Sequence, residues 1–331
     1  RRWHYPPASD RAFDRESTRA VIRIQKNAAL QIPPPGTHRL ALLSTTELEQ
    51  LQFKTLHHNL RSRHRATSSL LGQRPSIFRG HGMELEDRRA YQAGDNVRYM
   101  DWRATARSGK PIMKVFREER TQGLFLMIDR RPSMHFGTRG ELKAVTAARS
   151  AAILAFSALA ARDIVAGMVV ENDEKFFSGS RDINNALQLL RAASAPLPMA
   201  NTHTATMGTL LAQIDRAVGR GASVSLISDF KDLGEEHIPA LLQLTASHEV
   251  IALQIIDPAE ETLPDAGKLR MTAPNGEVFV IDTADIELRA RYAQAMKKQN
   301  ADLAQLFSRT GISLQRIYTH KDTFEQLARH E

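Results

Sequence analysis

Leu124–Asp129, LFLMID, is five apolar residues closed by an aspartate, and Val224–Asp229 (VSLISD) and Val250–Asp257 (VIALQIID) follow a similar pattern. A short apolar run without strict alternation reads as a strand buried on both faces. A further strand is expected at Ile164 to Val170. Helices are expected at Glu141 to Ala161, Asp182 to Ala192, Met207 to Val218 and Glu235 to Thr245. Beyond the third aspartate, Lys268 to Ala273 and Glu277 to Asp282 flank Asn275–Gly276, a strong short hairpin signal. A long helix from Asp285 to Arg309, a strand from Ile312 to Tyr318 and a helix from Thr323 to Arg329 complete the pattern. Apolar strands alternating with helices predict an α/β fold, a doubly wound and mostly parallel sheet with helices on both faces.

The 331 residues suit two domains, or one large domain with an added module. With 42% hydrophobic and 25% charged residues the composition is that of a globular protein. A chain this long buries a core without disulfide or metal staples. It has no cysteine, which excludes disulfides, thiolate metal sites and cysteine nucleophiles and fits a reducing compartment. The most apolar stretch, Ser150 to Ala161, is far short of the roughly 20 residues a bilayer requires, so no membrane span is expected. Arg1 to Pro7 are basic and aromatic without an apolar stretch and do not read as a signal peptide; the expected setting is cytoplasmic.

Charge divides the chain. Residues 1–120 hold 23 Lys and Arg against 12 Asp and Glu, a net +11, and residues 121–331 carry −3. Such a front half suits a polyanion or an acidic partner surface, and equally a solvated arginine-rich face. Three regions are expected. Residues 1–75 are a basic extension, broken at Pro33–Gly36, with a helix from Thr45 (Leu48, Leu51, Leu56, Leu60) and a linker to Pro75. Residues 76–121 are rich in Arg, Asp and aromatic side chains, and residues 122–331 form the sheet domain.

In a doubly wound sheet the ligand cleft lies beyond the carboxyl ends of the strands. Asp129, Asp229 and Ser133 are therefore expected to converge, a hard-oxygen set suited to magnesium. Asp257 is a third strand-end carboxylate. Aspartate at such positions also caps turns and helices, and the pattern alone favours capping. The chain has no P-loop and no G-x-S-x-G elbow. Gly80-His81-Gly82 lacks a third glycine and reads as a turn, and His57, His58 and His64 match no zinc spacing. Trp102, Tyr91 and Tyr99 among arginines could stack bases, but such a group more often packs a small module.

The run Arg79-Gly80-His81-Gly82-Met83-Glu84, then Arg89-Ala90-Tyr91-Gln92-Ala93-Gly94-Asp95, then Arg98-Tyr99-Met100-Asp101-Trp102-Arg103 through Arg107 closely resembles the signature of the bacterial domain of unknown function 58 family. Phe116-Arg117-Glu118-Glu119-Arg120, Ser133 to Thr138, Ile227 to Phe230, His248 to Val250 and Asp257-Pro258 extend the resemblance from about Thr45 to Glu331. It implies a von Willebrand factor A-like domain preceded by the signature. It also implies partnership with a MoxR-type AAA+ ATPase, with the A-like domain as adaptor or co-chaperone. The metal-ion-dependent adhesion site of such domains begins D-x-S-x-S. Here the run is Asp129-Arg130-Arg131-Pro132-Ser133, with arginine in place of the first serine. Asp229 matches the distal aspartate, and Thr206, with Thr204 and Thr209 as alternatives, the site threonine. Arg131 is expected to pair internally with the carboxylates, leaving a degenerate site with at most weak magnesium binding and no required cofactor.

Three functions follow as expectations. The first is a non-enzymatic adaptor, with a client protein as a further partner; no nucleophile–base set is visible in the sequence. The second is a polyanion or nucleic-acid binder using the +11 front half, which the residues favour less. The third is a metal-dependent hydrolase using Asp129, Asp229 and Asp257, against which Arg131 stands. The signature residues Arg89, Tyr91, Gly94, Asp95, Arg98, Asp101, Trp102, Arg107 and Glu119 are expected to form either an interface or, preferentially, a buried ion-pair patch anchored by Trp102.

Overall fold

The structure is a computed structural model that describes residues 43–57, 83–91, 100–118, 123–197, 205–272 and 278–328. Gly94, Asp95, Arg98, Glu119, Thr204, Leu60, His58, His64 and the Asn275–Gly276 turn lie outside the described residues. Two compact units are present. Described residues 83–118 belong to one, and residues 43–57 with 123–328 to the other.

The larger unit opens with α1 (Thr45–His57). Counted from the sequence with a basic extension, this helix instead belongs to the sheet domain, with Leu43 and Leu48 in its core. In the smaller unit, β1 (Met83–Ala90), α2 (Trp102–Ser108) and β2 (Ile112–Glu118) follow. β1 and β2 pair antiparallel, with a register shift between Leu85 and Asp87. Neither strand shows in the sequence, where MELEDRRA is too charged to carry an apolar period. Asp101 is buried and caps α2, its carboxylate accepting from Ala104 N–H at 3.0 Å. Trp102, the expected anchor of a buried patch, is 67% exposed.

The sheet domain continues with β3 (Gly123–Asp129), α3 (Lys143–Ala160), β4 (Ile164–Val170), β5 (Glu174–Ser180) and α4 (Ile183–Ala193). Then come α5 (Met207–Ala217), β6 (Ser223–Ser228), α6 (Ile238–Ser247) and β7 (Glu249–Ile256). The chain goes on through β8 (Lys268–Thr272), β9 (Val278–Asp282), α7 (Ile286–Arg309), β10 (Ser313–Tyr318) and α8 (Thr323–Ala328). Six strands form one sheet in the order β10-β7-β6-β3-β4-β5. Every neighbour pair is parallel except β4–β5. This is the expected doubly wound, mostly parallel α/β sheet, with β5 as an antiparallel edge that the sequence pattern does not show. The β8–β9 hairpin is antiparallel, as expected.

Strand alternation builds two cores. Leu124, Leu126 and Ile128 of β3 face α3 and α4, while Phe125 and Met127 face α5, α6 and α7. The alanines of α3 are the reason that helix lies close to the sheet: Ala144, Ala147, Ala148, Ala151, Ala152 and Ala155 are all buried. By length and apolar composition alone α3 could cross a bilayer, but its apolar side chains pack in this core. Gly167 of β4 is fixed by close approach, since a Cβ there would meet Leu126 O and the Leu189 side chain at 2.7 Å.

The connections out of β3 run to β4 on one side, and β6 lies on the other. The strand order therefore reverses between β3 and β6. Their carboxyl ends carry Asp129 and Asp229.

Candidate functional site

Each strand-end aspartate is placed by its own strand and turned by the loop that follows. Asp129, at the last position of β3, is fully buried. Its Oδ1 accepts from the Arg131 backbone N–H at 2.9 Å, and its Oδ2 from the Ser228 hydroxyl at 2.6 Å. Arg131 folds back onto it, donating from Nε to Oδ1 at 3.0 Å and from Nη2 to Oδ2 at 2.8 Å. The other edge of the same guanidinium donates to Asp232, Nη1 to Oδ2 at 2.5 Å and Nη2 to Oδ1 at 2.9 Å. One planar cation thus bridges two carboxylates from two loops. Burial pulls its proton affinity down, and Asp129 and Asp232 overcome that and raise it above the ordinary arginine value.

The expected internal arginine pair is therefore present, but with a different second partner. Arg131 holds Asp129 and Asp232, and Asp229 belongs to another cation. The ammonium of Lys143, the first residue of α3, is completely buried. It donates to Asp229 Oδ2 and to Glu260 Oε1, both at 2.7 Å. Lys231 adds a second ammonium on Glu260 Oε1 at 2.5 Å. Ser133 donates its hydroxyl to Asp229 Oδ1 at 3.1 Å. Burial would raise the Asp229 carboxyl; Lys143, with Lys231 behind it, overcomes this and holds it at about 2. Glu260 is likewise held below its ordinary value by the two lysines against the effect of burial. Lys143 is itself raised above its ordinary value by Asp229 and Glu260, although burial alone would lower it.

The loop that delivers these groups is conformationally unusual. Phe230 has φ of 55°, in the left-handed region disfavoured for a non-glycine residue. Its ring is buried edge-on against Phe307 of α7, centroids 5.1 Å apart. That turn separates Asp229, which points to Lys143, from Asp232, which points to Arg131.

Thr206 does not join the group. It caps α5: its hydroxyl accepts from Thr209 N–H, and Thr209 returns the bond to Thr206 N–H. Asp232 instead reaches this helix start, accepting from Met207 N–H at 2.9 Å. Asp257 also stands apart. It is fully buried and accepts from Thr138 N–H at 2.8 Å, the Thr138 hydroxyl, the Thr319 hydroxyl at 3.0 Å and Ala259 N–H at 3.0 Å. These bonds tie the β3–α3 loop to the ends of β7 and β10, so Asp257 is the turn-capping residue that the pattern favoured. Arg130 turns the opposite way from Arg131. It pairs with Glu171 at 2.9 Å and donates to the Ala192 and Ala195 carbonyls at the end of α4.

In the smaller unit Arg107 donates to the Arg103 carbonyl at 3.4 Å, and Tyr91 is exposed. Of the side chain of Arg89 nothing is described.

Lys143, Glu260, Asp232, Lys231 and Ser228 were missed in the sequence. Lys143 alone left a visible signal. It stands on the i, i+4 row of Ala147, Ala151 and Ala155, a charge on the core-facing stripe of α3. Among the described residues no group of three or more His, Cys, Asp or Glu has an arrangement that could hold a metal ion.

Comparison with known proteins gives a family. The model described as "Protein of unknown function DUF58" matches residues 87–302. An uncharacterized protein of Mycobacterium tuberculosis (strain ATCC 25618 / H37Rv) is 28% identical over 264 residues, 78% of this chain and 82% of its own. An uncharacterized protein of Mycobacterium avium is 28% identical over 123 residues, 37% of this chain and 72% of its own. Among solved structures, the conserved hypothetical protein BatB from Bacteroides thetaiotaomicron covers 62% of this chain and 94% of its own at 16% identity, TM-score 0.40. A von Willebrand factor type A structure from Catenulispora acidiphila covers 53% and 42% at 16% identity, TM-score 0.30.

Proposed function

The chain belongs to the DUF58 family, and on that premise we propose that it is a non-enzymatic von Willebrand factor A-like adaptor or co-chaperone for a MoxR-type AAA+ ATPase, acting in the cytoplasm. The observation that carries the non-enzymatic part is the neutralisation of both carboxylates at the switch point by cations of the chain itself. A metal-dependent hydrolase needs carboxylates that hold an ion with an open position, and a general base needs a pKa near the working pH. Asp229, the partner of the Ser133 hydroxyl, is held at about 2 and is a poor base at neutral pH. What the arrangement offers is a rigid polar end to the sheet, suited to contact rather than turnover. In this proposal the metal-ion-dependent adhesion site is degenerate, with Arg131 in place of a site serine and at most weak magnesium binding. The absence of cysteine fits the cytoplasmic setting.

The test is a pulldown of the purified chain with a MoxR-type ATPase from the same organism, with and without ATP. Binding that depends on the nucleotide state is expected; no binding in any state removes the adaptor proposal. Hydrolytic turnover by the isolated chain that Asp229→Asn abolishes would remove the non-enzymatic one.

A further inference from the structure

A von Willebrand factor A-like sheet implies a divalent ion at the carboxyl ends of its central strands, and the side chains here do not fit one. We infer that the resident cations of this site are the Lys143 ammonium and the Arg131 guanidinium, and that Lys143 divides the carboxylates into two half-sites that work without metal.

The division is geometric. Arg131 faces Asp129 and Asp232, and Lys143 faces Asp229 and Glu260. The two aspartates that an ion at the switch point would bridge are thus each turned toward a separate cation. Lys143 arrives from α3, 86 residues from Asp229 in sequence and 117 from Glu260. It is fully buried, so its charge persists only because two carboxylates lie at 2.7 Å. The Phe136 ring, 5.9 Å away, lies alongside the ammonium. Three cations (Arg131, Lys143 and Lys231) serve four carboxylates (Asp129, Asp232, Asp229 and Glu260), leaving little uncompensated charge for an ion to neutralise. A divalent ion could bind Asp229 and Glu260 only by displacing a fully buried amine from between them. Removal of that amine leaves two carboxylates and the Ser133 hydroxyl, a hard-oxygen set that suits magnesium or manganese once Lys231, whose side chain is partly exposed, leaves Glu260 Oε1 for solvent.

This inference deepens the metal-poor site proposed above and does not require the ATPase partnership. The experiment is thermal melting of the full chain in EDTA and in millimolar manganese, with manganese binding followed by calorimetry. Wild type is expected to melt at the same temperature in both. Lys143→Ala is expected to melt many degrees lower in EDTA and to recover in manganese. Lys143→Ala/Asp229→Asn, which removes the ammonium together with one negative charge, is expected to recover in EDTA and to ignore manganese. Rescue of Lys143→Ala by either route supports the inference, even where that variant folds only when rescued. A chelator-reversible manganese shift in wild type overturns it, as does a Lys143→Ala protein improved by neither manganese nor Asp229→Asn. Loss of ATPase binding with these melting results intact would count against the adaptor proposal alone.

Discussion

Asp229 and Asp257 each follow one of two neighbouring parallel strands, and the chain treats them differently. Asp229 is held by an ammonium and a hydroxyl, in a loop forced through a left-handed turn. Asp257 takes four hydrogen bonds from backbone N–H groups and threonine hydroxyls and has no ion pair among the described residues. One sequence pattern, an apolar run closed by aspartate, therefore serves a charge network in one place and a loop tie in the next. The difference lies in what distant segments bring to each strand end.

The sharpest way to break this contrast is Lys143→Met. Stranding Asp229 inside the protein, with Glu260 left to Lys231 alone, should cost about 3–5 kcal/mol, the usual penalty for removing one partner of a buried ion pair. Chemical denaturation measures it, and a loss below about 1 kcal/mol would show that the lysine is not needed as a counter-charge. Asp257→Ala should cost somewhat less, about 2–4 kcal/mol, by leaving buried donors unpaired. Asp257→Asn, which keeps one acceptor oxygen, should recover part of that loss, as a neutral tie predicts; a charge-dependent site would not.

Acid separates the two aspartates further. The folded-state value of Asp229 is depressed to about 2 from an ordinary 3.8. Its contribution is complete above the ordinary value and is lost as pH falls toward 2, of the order of 2 kcal/mol. Stability measured from pH 5 down to pH 2 should fall in wild type and flatten in Lys143→Met. Lys143 acts in the opposite sense: raised in the fold, it contributes fully below the ordinary lysine range, and this is lost only as pH rises beyond it.

Arg131→Ser sharpens the comparison within the network. It should cost about 1–3 kcal/mol, since Asp232 is partly exposed and water replaces part of the pairing. Any manganese response it gains should disappear with Asp232→Asn and survive Asp229→Asn, because the half-sites are separate. The smallest effect is expected in the other unit. Trp102→Ala should change stability by less than about 0.5 kcal/mol, as for most exposed side chains. Asp101→Ala should cost about 1 kcal/mol through the lost helix cap. Equal melting losses for the two would restore Trp102 as an anchor.

The sheet was legible because its strands announce themselves locally. Leu124–Asp129 needs no partner to be read as buried, and the alanine row of α3 needs only its own spacing. β5 was not legible, since EKFFSGS mixes charge, serine and glycine at an exposed edge. The site was half legible. Asp129, Asp229, Ser133 and the anomaly at Arg131 stand in short motifs, whereas Lys143 shows only as a charge at the head of the alanine row of α3, with nothing to name its partners. Its burial is decided by Asp229 and Glu260, which no local pattern links to it. Asp232 was hidden for the same reason: without the turn at Phe230 its direction is undetermined.

Lys54 of α1 pairs with Asp322 at 3.5 Å, across 268 residues, and its ammonium lies 4.6 Å from the Phe324 ring of α8. During synthesis α1 leaves the ribosome early, and this part of its seat is made last. Closing so large a loop is entropically slow. The Lys54–Asp322 contact should therefore form after α1 has packed on α3, and Lys54→Ala should remove it at little cost without touching the sheet.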